Sequence, residues 1–239
     1  MPVSLGGGVS TDNLVSVSST GVPTANGQTL KVPYILAQSN VPIILCSSGN
    51  FNATGQLTLT TALPYTPTGT VLVYIFAGNG LTAGLYSATF SSTTVCQLVG
   101  NPTTTSGAYA GGTTEATLAT VTILGGSLGN NGKIRDTTLI QIPNNANNKI
   151  LNERLNAQEL GSFTFTTSSY ARSIMETVNQ GNPAVNLSTF FTNIGGGSAN
   201  FRRLTVDTTQ NQTLTLAGTL AVATDYIILE SYSIEILAN

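Results

Sequence analysis

Short apolar runs rich in Val, Ile, Leu, Thr and Tyr recur along the chain, separated by turns rich in Gly, Asn and Pro. Their spacing of about 8 to 12 residues is typical of all-β proteins. The pattern predicts strands over 30–36, 41–46, 56–63, 70–77, 84–90, 93–99, 116–124, 133–142, 162–167, 201–206, 212–218 and 225–237. Strands of this number and length predict a sandwich or a barrel.

The last predicted strand, 225–237, shows the clearest alternation. Successive side chains of a strand point to opposite faces. The pattern therefore predicts one face carrying Tyr226, Ile228, Glu230, Tyr232, Ile234 and Ile236. Glu235 falls on the other face, which makes Glu230 and Glu235 a poor pair of acids.

The segment 147–160 fits two structures. Leu151, Leu155 and, less regularly, Leu160 are separated by charged residues, which suits two or three helical turns. Periodicity alone does not distinguish these turns from a strand.

The first 28 residues differ from the rest because they are rich in Gly, Ser and Thr and only weakly periodic. We predict an extended N-terminal arm over 1–28 and a β-sandwich domain over 29–239. The candidate anchors of the arm to a neighbouring molecule are Val3, Leu5, Leu14 and Val15. A free terminus is the alternative. The arm has no basic stretch followed by an apolar one, so no signal peptide is predicted.

Charged residues make up 8% of the 239 residues, against about 25% in an ordinary soluble protein. The formal net charge is −2. A surface with so little charge resists self-association poorly, which suits a component of an assembly. No basic cluster favours nucleic acid, and no apolar run approaches the roughly 20 residues that span a bilayer.

No cofactor or metal site is predicted. The chain has no histidine, and its two cysteines, Cys46 and Cys96, lie in apolar stretches without metal-ligand spacing. Buried free thiols are the favoured interpretation, with a disulfide as the alternative.

The segment 125–129, "GGSLG", matches the pattern that holds a hydrolase's nucleophilic serine. That chemistry needs a base beside the serine and a helix after it. The following sequence predicts another strand, so we place Ser127 in a β-turn and predict no enzyme. Glu153 with Glu159 is the more plausible carboxylate pair, although a solvated charged face explains both. Asp207 is predicted to form an Asx-turn.

Three aromatic residues are candidates for a recognition site, namely Tyr170, Phe190 and Phe191. The adjacent phenylalanines suit either an exposed tip or the core. The chain lacks tryptophan, which weakens a sugar-binding interpretation without removing tyrosine as a stacking platform.

Several stretches together resemble a β-sandwich module of tailed-bacteriophage structural proteins. They are "GLYSATFSSTT", "TVTILGGSLGNNGKIR", "NNANNKIL" and "VDTTQNQTLTLAGTLAVATDYIILESYSIEIL", and the resemblance extends over about 30–239. The module occurs in head decoration and fibre proteins and at the ends of tail fibres. It implies a jelly-roll-like fold, usually a homotrimer, with no catalysis or cofactor, and it favours strand for 147–160. The segment 166–191 matches nothing in the module.

These observations predict a virion structural protein that decorates or cements the capsid. Its expected partners are copies of itself and the major capsid protein or other virion proteins. Only about 28 residues without heptads or repeats precede the predicted sandwich, too few for a fibre shaft. The alternative is a receptor-binding tail-fibre tip with 166–191 as its contact loop. A third is a cellular carbohydrate-binding module, and a host-surface glycan is a candidate partner.

Overall fold

The computed structural model describes residues 34–167, 169–192 and 200–237, together with the short strands 15–17, 23–25 and 28–29. These residues form strands and turns and contain no helix. The strands are β1 (Val15–Val17), β2 (Pro23–Ala25), β3 (Gln28–Thr29), β4 (Tyr34–Ser39), β5 (Ile43–Cys46), β6 (Ser48–Phe51), β7 (Gln56–Leu59), β8 (Thr70–Ile75), β9 (Gly84–Phe90), β10 (Val95–Leu98), β11 (Gly107–Ala110), β12 (Ala116–Ile123), β13 (Lys133–Gln141), β14 (Lys149–Leu155), β15 (Gln158–Phe165), β16 (Tyr170–Asn179), β17 (Asn186–Thr192), β18 (Asn200–Leu204), β19 (Gln212–Leu220) and β20 (Tyr226–Leu237).

The strands form one large sheet and two smaller ones. The large sheet has the order β11-β6-β7-β10-β9-β8-β5-β20-β13-β16-β17-β18, with β4 also paired to β20. The small sheet has the order β12-β19-β14-β15. Strands β1, β2 and β3 form a separate three-stranded sheet.

The long strand β20 joins the halves of the large sheet. Along one side it pairs with β13. Along the other side, 226–229 pair with β5 and 232–236 pair with β4. Its register with β13 shifts at Glu230, where a bulge interrupts the ladder. Because of this bulge, Tyr226 and Ile228 lie on the opposite face from Tyr232, Ile234 and Ile236, so the single face predicted for these residues is wrong.

The small sheet packs against β5, β20 and β16–β18, so the two sheets form a sandwich. Alternation explains the layers, because every second residue of β14, from Lys149 to Leu155, is buried. The buried apolar side chains of both sheets belong to one continuous core. The predicted all-β, jelly-roll-like β-sandwich is confirmed.

The segment 147–160 contains β14 and the start of β15 as a hairpin, so the helical alternative is wrong. Leu151 and Leu155 are four residues apart, a spacing shared by a helix face and by every second position of a strand. Asn156 turns the chain with a φ of 54°, a conformation that Asn tolerates better than most residues.

The segment 166–191, for which the sequence gives no assignment, contains β16 and most of β17. These two strands pair in an antiparallel hairpin from Asn179–Asn186 to Ser173–Thr192. A proposed contact loop is therefore a two-stranded extension of the large sheet.

Of the predicted arm, the structure describes only β1, β2 and the first residue of β3. These strands pair with each other in antiparallel fashion. The residues that the structure describes include no helix long and apolar enough to cross a membrane.

Candidate functional site

The large sheet presents one broad surface that the small sheet does not cover. We call outer face the side of β4, β20, β13, β16, β17 and β18 that points away from the small sheet. Cross-strand partners share a face, so the register places Lys133, Arg135, Glu176 and Glu235 together on it.

An ion-pair cluster joins β13, β16 and β20 on the outer face, near the N-terminal end of β13. The ammonium of Lys133 is 3.2 Å from Glu176 Oε2, and Arg135 Nη2 is 2.7 Å from Glu176 Oε1. Arg135 Nη1 also lies 3.6 Å from Glu235. Although burial raises the pKa of Glu176, hydrogen bonds from Arg135 and Lys133 hold it below its usual value. The two cations and two anions thus neutralise each other.

Four exposed apolar side chains share the outer face with this cluster. The exposed fraction is 54% for Ile35, 41% for Leu139, 62% for Tyr170 and 69% for Phe201. Ile35 is the cross-strand partner of Glu235. Phe201 is the partner of Thr189, which is in turn the partner of Glu176. Both apolar residues therefore lie on the outer face. We call these four side chains the apolar rim, and exposed apolar side chains of this kind are suited to contact with another protein.

The predicted recognition residues lie in strands. Tyr170 opens β16 and pairs with Gln141 on the outer face. The backbones of Phe190 and Phe191 lie in β17 opposite Met175 and Ile174, and their side chains are outside the described part of the chain.

Of the predicted arm anchors, Val3, Leu5 and Leu14 lie outside the described residues. The backbone of Val15 pairs with Ala25.

Ser127 lies in a turn between two strands. Its backbone N–H donates to Leu124 O at 3.2 Å, and the chain continues into β13 instead of the helix that a nucleophile elbow requires. The Ser127 hydroxyl is buried and has no hydrogen-bond partner among the described residues. Gly125 allows this corner to approach Thr209, since a Cβ there would lie 2.3 Å from Thr209 O.

The predicted pairing of Glu153 with Glu159 is not formed. Glu159 pairs with Arg202 at 2.7 Å. Glu153 is buried rather than solvated and accepts a hydrogen bond from Ser173, whose strand partner Thr138 lies two residues from a second buried acid, Asp136. Asp136 gave no sequence signal, because it is a lone acid among polar residues. Glu230 accepts hydrogen bonds from the Tyr65 hydroxyl at 2.8 Å.

Both cysteines are buried free thiols, so the favoured prediction is confirmed. Burial raises the pKa of Cys96 to about 12 and that of Cys46 further, which makes both poor nucleophiles. The described residues include no group of three side chains able to hold a metal ion. The predicted Asx-turn is present, because Thr209 N donates to Asp207 Oδ1 at 3.0 Å.

A cleft of about 340 Å³ lies between the β14–β15 turn and the loop before β19. Its lining includes Asn156, Gln158, Asp207, Asn211 and Gln212. Much of this polar surface is already engaged within the protein, as in the hydrogen bond of 2.6 Å from Gln212 Nε2 to Asp207 O.

No protein-family model and no curated protein matches the chain. Solved structures share its β-rich character at low similarity. A Lotus tetragonolobus seed lectin is 8% identical, with a TM-score of 0.33, and the match covers 87% of this chain and 100% of the lectin. The winged bean acidic lectin complexed with methyl-α-D-galactose is 10% identical, with a TM-score of 0.32 and coverages of 86% and 98%.

The CBM2 module of the evolved Dit of Lactobacillus casei BL23 phage J-1 is also similar. It is 12% identical, with a TM-score of 0.30 and coverages of 87% and 98%. A bacteriophage protein is thus among the similar structures. At these identities and TM-scores, the matches carry no argument about ligand or activity.

Proposed function

We propose that this chain is a structural protein of a tailed-bacteriophage virion that decorates or cements the capsid as a homotrimer. Two kinds of observation support the proposal. The stretches "GGSLGNNGKIR" and "DTTQNQTLTLAGTL" resemble the bacteriophage module. The outer face supplies the contact surface that a decoration protein needs.

The outer face is the observation on which the proposal depends most. Its ion pairs are satisfied internally, so docking there does not leave Lys133, Arg135 or Glu176 without a partner. The exposed rings of Tyr170 and Phe201 would lose contact with water on docking, and burial of apolar area drives association. Arg172 and Arg203 also lie on the outer face by their register, so a second copy or a capsid subunit meets a surface with a small excess of positive charge.

We propose further that the protein is not an enzyme. The Ser127 turn leads into a strand, and the chain contains no histidine to take the serine proton. Incubation with a fluorophosphonate probe, followed by peptide mass spectrometry, tests this directly. Probe attached to Ser127 would refute it.

The decisive experiment locates the protein on the particle. Quantitative mass spectrometry of purified virions gives the copies per particle, and immunogold labelling gives the position. Decoration of the head requires hundreds of copies over the capsid surface. A few copies at the end of the tail would instead support the competing role in host attachment.

The amide side chains that line the cleft before β19 favour host attachment as the second candidate function. Amide side chains and the exposed carboxylate of Asp207 are groups that hydrogen-bond to sugar hydroxyls. We expect glycan-array binding, if this role is correct, to weaken in the variants Asn211→Ala and Gln158→Ala. Binding that these two changes leave intact would place the glycan elsewhere on the protein.

A further inference from the structure

Two carboxyl groups meet inside the sandwich. Asp136 lies on β13 of the large sheet, and Glu153 lies on β14 of the small sheet. Their exposed fractions are 2% and 1%. Ser173 donates to Glu153 and pairs with Thr138, which lies two positions from Asp136 on the same face of β13, so the two carboxyl groups lie together between the layers.

The surroundings provide little compensation for negative charge. Ser173 Oγ donates to Glu153 Oε1 at 3.3 Å and shares a short hydrogen bond with Thr138. Both oxygens of Asp136 and Oε2 of Glu153 receive no hydrogen bond from an amide, hydroxyl or cationic donor among the described residues. Two bare carboxylates in this position would repel each other without solvent to screen them.

The charged groups of the neighbouring strands β14, β16 and β20 bind other partners or lie on the other face of the sheet. On β14, the Lys149 ammonium binds Asn145 and Thr166 O. On β16 and β20, Glu176 and Glu235 lie on the outer face, opposite the face that carries Asp136.

Among the residues that the structure describes, the remaining neighbours offer no positive charge. On β15, Glu159 pairs with Arg202. On β19, the residue opposite Glu153 is Leu216. On β20, the pKa of Tyr232 is raised by burial first and by the charge of Asp136 second.

From this geometry we propose that Asp136 and Glu153 form a proton-binding site that holds the two sheets together. A proton on Glu153 is donated to Asp136, which converts a repulsive contact into a hydrogen bond between the layers. No covalent bond changes, and the proton comes from solvent when the chain folds. The site is independent of the proposed role on the virion.

The directions of the pKa values agree with the geometry. Burial raises the pKa of Asp136 to about 7, and burial and the Asp136 charge raise that of Glu153 well above its usual range. In the unfolded chain both groups lose their protons near pH 4. The folded state therefore retains protons that the unfolded state releases.

The sign of the pH dependence follows. The free energy that these retained protons add to the folded state is fully present below the pKa values of the unfolded chain. It is lost as the pH rises through the pKa of Asp136 in the folded state, about 7. The folding equilibrium constant should fall by up to about tenfold per pH unit for each proton that the folded pair retains. The protein should be more stable in mild acid than in mild base.

Urea unfolding of the full chain between about pH 5 and pH 9 tests this prediction. The wild type should lose stability as the pH rises, and Asp136→Asn should flatten that slope because the amide needs no shared proton. Asp207→Asn is the matched control, since Asp207 is an exposed carboxylate and its loss should leave the slope unchanged. A wild-type slope that is flat, or that Asp136→Asn does not change, would overturn the proposal.

A second measurement does not depend on a variant that folds. Carbon-13 NMR of the wild-type carboxyl groups should show Asp136 titrating near neutral pH and Glu153 retaining its proton to higher pH. Midpoints near the ordinary value of about 4 for both groups would refute the shared proton. A bound metal ion is the rival occupant. Stability that rises with pH, rises with added calcium and falls with EDTA would assign the pair to a metal and overturn the proton site.

Discussion

Lys149 is a fully buried cation that the fold surrounds with oxygen atoms. Its ammonium donates to Asn145 Oδ1 at 2.7 Å, to Thr166 O at 3.1 Å and to Asn145 O at 3.3 Å. Asn145 Nδ2 donates in turn to Asp225 Oδ1 at 2.7 Å. Burial lowers the pKa of Lys149, and the nearby charge of Asp225 opposes that shift. This network joins the loop before β14 to the start of β20.

Lys149→Met should destabilise the fold by about 3 kcal/mol, because it leaves buried carbonyl oxygens and Asp225 without their cation. Lys133→Met is the matched control. Lys133 lies in a partly exposed ion pair with Glu176, so its loss should cost no more than about 1 kcal/mol. Urea unfolding at one pH compares the two variants. Equal stability of Lys149→Met and the wild type would show that the network contributes nothing.

Cys46 and Cys96 give a second test at the residue scale. Both thiols are buried and have raised pKa values, so neither should react with a thiol-specific reagent while the chain is folded. Both should react on addition of urea, with the same midpoint as the loss of circular dichroism. Fewer than two reactive thiols in the unfolded, unreduced chain would indicate a disulfide.

At the scale of elements, the corner between β12 and β13 depends on close backbone packing. A Cβ at Gly132 would lie 2.0 Å from Leu128 O, a backbone atom that can move only with the whole turn. Gly132→Ala should therefore destabilise the protein by about 2 kcal/mol. Ser127→Ala in the same corner should change stability by no more than about 0.5 kcal/mol, since its hydroxyl has no hydrogen-bond partner in the described part of the chain.

Thermal unfolding of both variants checks the prediction, and comparable losses of stability in the two would contradict it.

The corner also explains why the hydrolase-like pattern appears here. Glycine is needed on both sides of Ser127 because Gly126 and Gly129 have φ values of 78° and 63°. The match reflects turn geometry, which the sequence alone suggested from the strand that follows.

The sequence predicted strands well where apolar residues face the core and poorly where polar ones do. In β16 and β17 the buried positions include Ser173, Thr177, Asn179, Asn186 and Ser188. Where polar residues fill inward positions as well as outward ones, no hydrophobic periodicity marks a strand. No strand was therefore predicted over 170–192. The same cause made β14 ambiguous, because Lys149 and Glu153 occupy buried positions there.

At the scale of the molecule, strand pairing between distant segments could not be predicted. Strand β20 lies between β5 and β13, which are separated along the chain by seven other strands. Neither neighbour is sequential, and local patterns contain no information on such pairing. The Asp136–Glu153 contact and the outer face both depend on it. The sequence contains each of these residues, but it does not show which of them lie close together in the fold.

The last prediction concerns the whole molecule and its assembly. If the outer face binds another copy, a charge placed on its apolar rim must be buried without a partner. The double variant Tyr170→Asp/Phe201→Asp should remain folded, because both side chains are exposed, but it should no longer self-associate. Light scattering at micromolar concentration should give a trimer mass for the wild type and a monomer mass for the double variant.

Val99→Asp supplies the control for this experiment. Val99 is an exposed apolar residue in the turn after β10, outside the outer face, so the same change of charge there should leave the trimer intact. A trimer that survives the double substitution would move the interface to another surface. A monomeric wild type would show that the outer face does not bind a second copy of the chain. A capsid subunit would then be its expected partner.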